Sequence, residues 1–222
     1  RFPKARLSLL EPVPELLRRA PRRSGWWRRT ARVAGDLQSP PFPARSFQIV
    51  WSNLGLPAVP DPEAAAAALR RVLSPAGLLM FSSLGPDSFS ELRSALATVL
   101  GDAAPAPPAL LDMHDVGDAL VRAGLEGVVM ENENFTLTYP DVRSLLRDAR
   151  ATGTGGVLSD RPRGLWTPRR LAALEAAMPR QDGRVSVTVE VVYGHAWRPE
   201  AGGTPADSRG QVGIAVDEIG RS

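Results

Sequence analysis

Three polar side chains stand at the ends of short apolar runs, where a sheet would present them to a ligand. Glu11 closes the run 5–10, Asp36 follows Gly35 after the run 30–34, and Asn53 nears the end of Phe47-Gln48-Ile49-Val50-Trp51-Ser52-Asn53-Leu54. In an open α/β sheet, ligands sit outside the carboxyl ends of the strands. A carboxylate placed there can accept hydrogen bonds from a pair of hydroxyls or from an amino group. Read singly, Glu11 is more often a solvated residue before a proline turn, and Asp36 a turn aspartate. In this order, at successive strand ends, the three carry weight together as a candidate set.

Other chemistries find little to work with. The chain has no cysteine, which removes disulfides, thiolate metal sites and thiol nucleophiles. His114 and His195 are far apart and lack partner spacing, so no metal site is expected. His114 reads as a first-turn polar residue and His195 as a satisfied structural histidine. Gly153-Thr154-Gly155-Gly156 follows a helix and has no lysine beside it, unlike a phosphate loop. No serine-nucleophile elbow is present.

The elements that must position the set follow from periodicity and caps. Residues 5–10 read as a strand, and Pro12-Val13-Pro14 as a turn into a helix entered through proline. Residues 30–34 are a second short strand, and the proline-rich 39–44 a loop. Strand 47–53 leads to a helix capped by Asp61, with Pro62 at its first position and an alanine run that favours helix. After Arg71-Val72-Leu73-Ser74-Pro75-Ala76-Gly77 comes a second apolar run, Leu78-Leu79-Met80-Phe81. Ser88-Phe89-Ser90-Glu91 has the capping-box pattern and predicts a helix opening at Ser88. Strand, helix, turn, strand and helix in that order read as a parallel βαβ unit.

Further on, Asp112 opens a helix closed by Gly124, residues 131–139 read as a strand, and 140–150 as a helix. Thr167-Pro168 starts one more helix, to about Met178. Val185-Ser186-Val187-Thr188-Val189-Glu190-Val191 alternates with period two and is the clearest strand. A domain over 1–198 and a loose Gly- and Pro-rich tail over 199–222 are expected.

The 222 residues are enough for one domain with a sizeable core, and 43% are hydrophobic. No apolar run approaches the length of a membrane span. Net charge is +3, yet the pI is about 10.1, because Lys4 is the only lysine and arginine supplies nearly all the basic charge. Seven arginines fall between Arg18 and Arg32, interleaved with Trp26 and Trp27. That cluster is either a solvated helix and loop or a face for an acidic partner. Acidic residues spread through the remainder argue against nucleic acid.

The wording of the central unit adds to its order. A strand ending Ser52-Asn53-Leu54, then Arg71-Val72-Leu73-Ser74-Pro75-Ala76-Gly77-Leu78-Leu79, resembles the middle of an S-adenosylmethionine (SAM) methyltransferase. Four segments narrow the family: Gly85-Pro86-Asp87-Ser88-Phe89-Ser90-Glu91-Leu92-Arg93, 112–124, 137–148 and Tyr193-Gly194-His195-Ala196-Trp197. All resemble the malonyl-acyl-carrier-protein O-methyltransferases of biotin synthesis, over about Arg6 to Trp197.

The resemblance implies a Rossmann-like α/β fold, mostly parallel with an antiparallel C-terminal strand. It implies SAM as cofactor and methylation of the free carboxylate of a malonyl thioester, carried on acyl carrier protein or coenzyme A. By position, Glu11 would take the ribose hydroxyls and Pro12 lie against the adenine. Asp36 and Leu37 would flank the ring, Asp36 holding its amino group; Asn53 and Leu54 would lie beneath the sulfonium. Arg147, with Arg143 second, would bind the substrate carboxylate; one turn apart, they share a helix face. No general base is required, because the carboxylate is already ionised. A cytoplasmic monomer is implied, with no membrane or nucleic-acid partner, and the arginine cluster would suit an acidic carrier.

The family pattern begins with a strand and glycine-rich loop that are not found here, lying between strands 5–10 and 47–53. Gln48 stands where aspartate is usual, and Gly55-Leu56-Pro57-Ala58 where a polar-aromatic stretch is usual. The chain therefore reads as a fragment of an active enzyme rather than a degenerate copy. Two other functions fit the same fold: a protein-arginine hydroxylase resembling the mitochondrial complex I assembly factor, and a non-catalytic carrier-protein-binding remnant.

Overall fold

The computed structural model describes residues 5–20, 30–55, 61–104, 110–151 and 167–200. The first unit is a pair of parallel strands, β1 (Ser8–Glu11) and β2 (Ala31–Ala34), with α1 (Pro14–Arg19) between them. The second is a five-stranded sheet. Parallel β3 (Phe47–Asn53) and β4 (Leu73–Leu84) lie beside β7 (Arg184–Trp197), then β5 (Glu126–Tyr139), with the two-residue β6 (Arg180–Gln181) paired to β7. β7 is antiparallel to β4 and β5, so β5 runs in the direction of β3 and β4. This is the expected mostly parallel sheet with an antiparallel last strand. Among the described residues β1 pairs only with β2 and β3 only with β4. The two sheets therefore present unshared edges on the sides where one strand was expected between them.

Local chemistry sets most element ends. Asp61 Oδ1 accepts the Ala64 N–H at 2.9 Å ahead of α2 (Pro62–Val72), a cap of about 1 kcal/mol. Asp112 does the same for His114 at α4 (Met113–Arg122), and Thr167 for Arg170 at α6 (Pro168–Ala177). Gly124, at φ +79, allows the chain to leave α4 and enter β5. At the far end of α2, Arg198 Nη1 donates to the Arg70 and Leu73 carbonyls at 2.9 and 2.7 Å. It satisfies acceptors that a helix terminus leaves open.

α3 (Ser90–Leu100) departs from the expected capping box. Its N-cap is Phe89, in the left-handed region at φ +58. Ser88 and Glu91 both reach across to β7 instead of serving the helix. Ser88 Oγ bonds the backbone of Glu190, and the Glu91 carboxylate takes the Thr188 N–H and hydroxyl at 2.9 and 2.5 Å. A box needs an extended residue at Ser88's position, whereas here the turn runs alongside a strand that offers partners of its own. β5 starts five residues earlier than expected, and β7 runs six beyond Val191.

Two apolar clusters cover opposite faces of the sheet. Ala66 and Leu69 of α2 and Val116 and Leu120 of α4 pack on Leu79, Phe81 and Ala196. Leu92 and Leu96 of α3, Val142 and Leu145 of α5 (Val142–Ala151) and Leu174 of α6 pack on Leu84, Val185 and Val187. The last β4–β7 pair is Leu84 with Val191, but β5 and β7 continue from Asn134–Glu190 to Tyr139–Val185. Six further pairs at about 3.3 Å each carry this arm beyond the carboxyl end of β4, and α3, α5 and α6 build on it. On the same face Trp51, 76% exposed, pairs with Met80 across β3 and β4.

Candidate functional site

The strand ends are level within each sheet. Glu11 pairs with Ala34, and the Gly35 N–H donates to the Glu11 carbonyl at 3.3 Å, which sets Asp36 two residues past the same edge. Glu11 Oε1 accepts the Val13 N–H at 3.0 Å, folding the turn before α1. Its Oε2 has no partner among the described residues. Asp36 Oδ1 accepts the Gln38 N–H at 2.9 Å and is exposed. Each acid thus spends one oxygen on its own turn and keeps acceptor capacity. Pro12 is exposed beside Glu11, while Leu37 is half-buried and packs against the α2–α4 cluster.

On the other sheet Asn53 pairs with Ser82. Ser82 Oγ donates to Asn53 Oδ1 at 2.8 Å and accepts the Leu54 N–H at 3.2 Å. Leu54 sits at φ +52, a conformation that costs a branched residue energy, and the turn from β3 is held there by this serine and the Ser82 carbonyl. Asn53 and Leu54 are both exposed at the strand's carboxyl end.

Arg143 and Arg147 lie exposed on α5, above the β5–β7 arm. The Asp141 carboxyl, which caps this helix, is held below its usual range first by hydrogen bonds from Ser144, with Arg147 and then Arg143 adding to the effect. Tyr139 donates its hydroxyl to Asp148 at 2.8 Å. Burial, the bond to Asp148 and its charge push the phenol up to about 12.

The expected set thus falls into three places: Glu11, Pro12, Asp36 and Leu37 at the end of the small sheet, Asn53 and Leu54 at the end of β3, and the arginines on α5. Two roles escaped the sequence. Ser82 reads there as a plain strand residue, and only the β3–β4 register sets it beside Asn53. Glu190 alternates with valines and so reads as solvent-facing, yet only 7% of it is exposed. His114 sits in the first turn of α4 and His195 in β7, and among the described residues no group of histidines and acids is placed to hold a metal. The glycine run 153–156, most of the arginine–tryptophan cluster and the tail beyond Glu200 lie outside the described residues.

Polar residues at the carboxyl ends of a mostly parallel sheet, followed by an antiparallel last strand, define a Rossmann-like methyltransferase of the SAM-dependent class. Residues 2–81 match the family described as methyltransferase domain. The chain is 44% identical over 227 residues to a malonyl-[acyl-carrier protein] O-methyltransferase of Halorhodospira halophila, covering 100% of itself and 76% of that protein. It is 43% identical over 211 residues to the protein of that name from Laribacter hongkongensis, covering 90% and 70%. The YcgJ protein of Bacillus subtilis shares the fold at TM-score 0.55 and 12% identity, over 88% of this chain and 83% of that one. The chain belongs to the malonyl-acyl-carrier-protein O-methyltransferase family.

Proposed function

We propose that the protein methylates the free carboxylate of a malonyl thioester carried on acyl carrier protein, as a step of biotin synthesis. The observation that carries this reading is the pair of carboxylates, half-buried Glu11 and exposed Asp36, each with acceptor capacity left at adjacent strand ends. The donor set fits SAM: acids for ribose hydroxyls and the adenine amino group, and an uncharged turn at Asn53–Leu54 for the methionine side. When bound, SAM supplies an electrophilic methyl on a cationic sulfur.

The protein's part is placement. Glu11, with Pro12 beside it, and Asp36, with Leu37 beside it, hold the nucleoside; Asn53 and Leu54 support the sulfur end. Arg147, seconded by Arg143, binds the malonyl carboxylate through a planar fork. With SAM bound, the arginines would hold one carboxylate oxygen in line with the methyl that SAM would supply. No proton moves, so rate comes from alignment and from removing water around the nucleophile. Arg147 and then Arg143 help lower the Asp141 carboxyl, after the hydrogen bonds from Ser144. Among the described residues no helix is long and apolar enough to cross a membrane, and we read the protein as a cytoplasmic monomer acting on a diffusing carrier.

Calorimetric titration of S-adenosylhomocysteine into the protein tests the cofactor half. Micromolar binding that weakens in Glu11→Ala and Asp36→Ala is expected. Binding indifferent to both substitutions would remove these residues from the site.

A further inference from the structure

The loop that leaves β4, Gly85-Pro86-Asp87-Ser88, is fastened to β7 by one residue. Glu190 is 7% exposed, and its carboxylate accepts the Asp87 N–H through Oε2 at 2.9 Å and the Asn132 amide through Oε1 at 3.0 Å. Its carbonyl takes the Gly85 N–H at 3.0 Å and the Ser88 hydroxyl at 3.0 Å, and its own N–H returns a bond to Ser88 Oγ at 3.1 Å. Five hydrogen bonds therefore meet on Glu190, four of them to this loop. The fit leaves no slack: a Cβ on Gly85 would lie 2.2 Å from Glu190 Cδ. A carboxylate is costly to bury, and a hydrophobic or hydroxyl side chain would serve a plain strand there at less expense.

The place of this interlock gives it meaning. β4 adjoins β3, whose end holds Asn53 and Leu54, and ligands of such sheets sit over the loops at strand carboxyl ends. We infer that Glu190 is a positioning residue for methyl transfer. It fixes the Gly85–Ser88 loop as the wall against which the malonyl thioester is aligned with the methyl donor, and it has no part in holding the nucleoside. The inference rests on the function proposed above.

The test compares the full protein with Glu190→Ala, Gly85→Ala and the double variant. Thermal melts establish folding, calorimetry gives S-adenosylhomocysteine affinity, and kcat and KM are measured on malonyl carrier protein. For Glu190→Ala, kcat/KM should fall on the order of tenfold to a hundredfold while cofactor affinity stays within about twofold. A loosened wall misaligns substrate and leaves the nucleoside end untouched. Gly85→Ala should reproduce the loss with Glu190 in place, and the double variant should lose no more than Glu190→Ala alone, because the added methyl then meets no carboxylate. A role confined to stability would lower the melting temperature and leave kcat/KM of the folded protein unchanged, which overturns the inference. Equal losses in cofactor affinity and turnover would overturn it too. An unmutated protein that methylates no malonyl thioester would instead overturn the functional reading beneath it.

Discussion

Ser82 Oγ lies 2.8 Å from Asn53 Oδ1 and 3.2 Å from the Leu54 amide nitrogen, so one hydroxyl on β4 fixes the end of β3. It donates to the first and accepts from the second, using both sides of the group. Leu54 is thereby kept at positive φ without a glycine.

Removing that hydroxyl should cost the site more than the fold. Ser82→Ala deletes hydrogen bonds with a net worth of about 1 kcal/mol and leaves the Leu54 N–H to the Ser82 carbonyl alone. The expected result is a several-fold weaker affinity for S-adenosylhomocysteine, with a melting temperature a few degrees lower. Calorimetry beside a thermal melt checks it; unchanged affinity would place the methionine end of the cofactor elsewhere.

Arg147→Ala should raise KM for malonyl carrier protein on the order of tenfold to a hundredfold, the value of a charge-assisted pair. Cofactor affinity should not change. Arg147→Lys should recover only part of the loss, since an ammonium lacks the fork. Steady-state kinetics on the three proteins decide this, and equal KM values would exclude Arg147 from substrate binding.

These residues show what was legible beforehand. α2 could be read because Asp61, Pro62 and the alanines agree locally. Glu11, Asp36 and Asn53 could be placed because strand ends are visible as the points where apolar runs meet turns. The α3 entry could not. Ser88-x-x-Glu91 satisfies a local rule, and only the distant Thr188 and Glu190 reveal the stronger partners. Glu190 failed for the same reason: alternation assigns it to solvent, and the loop that buries it comes from a hundred residues earlier. The first half of β5 was missed because its pairing with β7, not its own pattern, makes it a strand. Placement was readable where it lay within one turn of chain, and unreadable where the sheet brought two segments together.

Acid stability should report the Glu91 contact. Burial alone would raise this carboxyl, but the Thr188 hydroxyl and N–H outweigh it, and the net pKa lies below the ordinary 4.5. A depressed carboxyl contributes stability that is present above 4.5 and lost as pH falls through its folded value. Glu91→Gln should therefore be less stable than the parent at pH 7, and the gap should close below pH 4.5. Denaturant melts from about pH 3 to about pH 7 measure it; a gap that persists at low pH would contradict the Thr188 contact.

Tyr139 offers an optical check on the base of α5. The chain has two tyrosines, and the Tyr139 phenol is raised from 10.0 to about 12. Its bond to Asp148 therefore contributes below pH 10 and is lost as pH rises through 12. Ultraviolet titration should show a phenolate step at about 12 that is missing in Tyr139→Phe. Loss of a step near 10.0 in Tyr139→Phe instead would mean that the hydroxyl is not held by Asp148.

The central claim is the transfer of a methyl group to a malonyl carboxylate, and intact-mass analysis of the carrier protein tests it most directly. Malonyl carrier protein and acetyl carrier protein are each incubated with the protein and SAM. The account predicts one added methyl on the malonyl form, removable by mild ester hydrolysis, and none on the acetyl form, which has no free carboxylate. Methyl addition to both forms, or to neither while S-adenosylhomocysteine still binds, would contradict it.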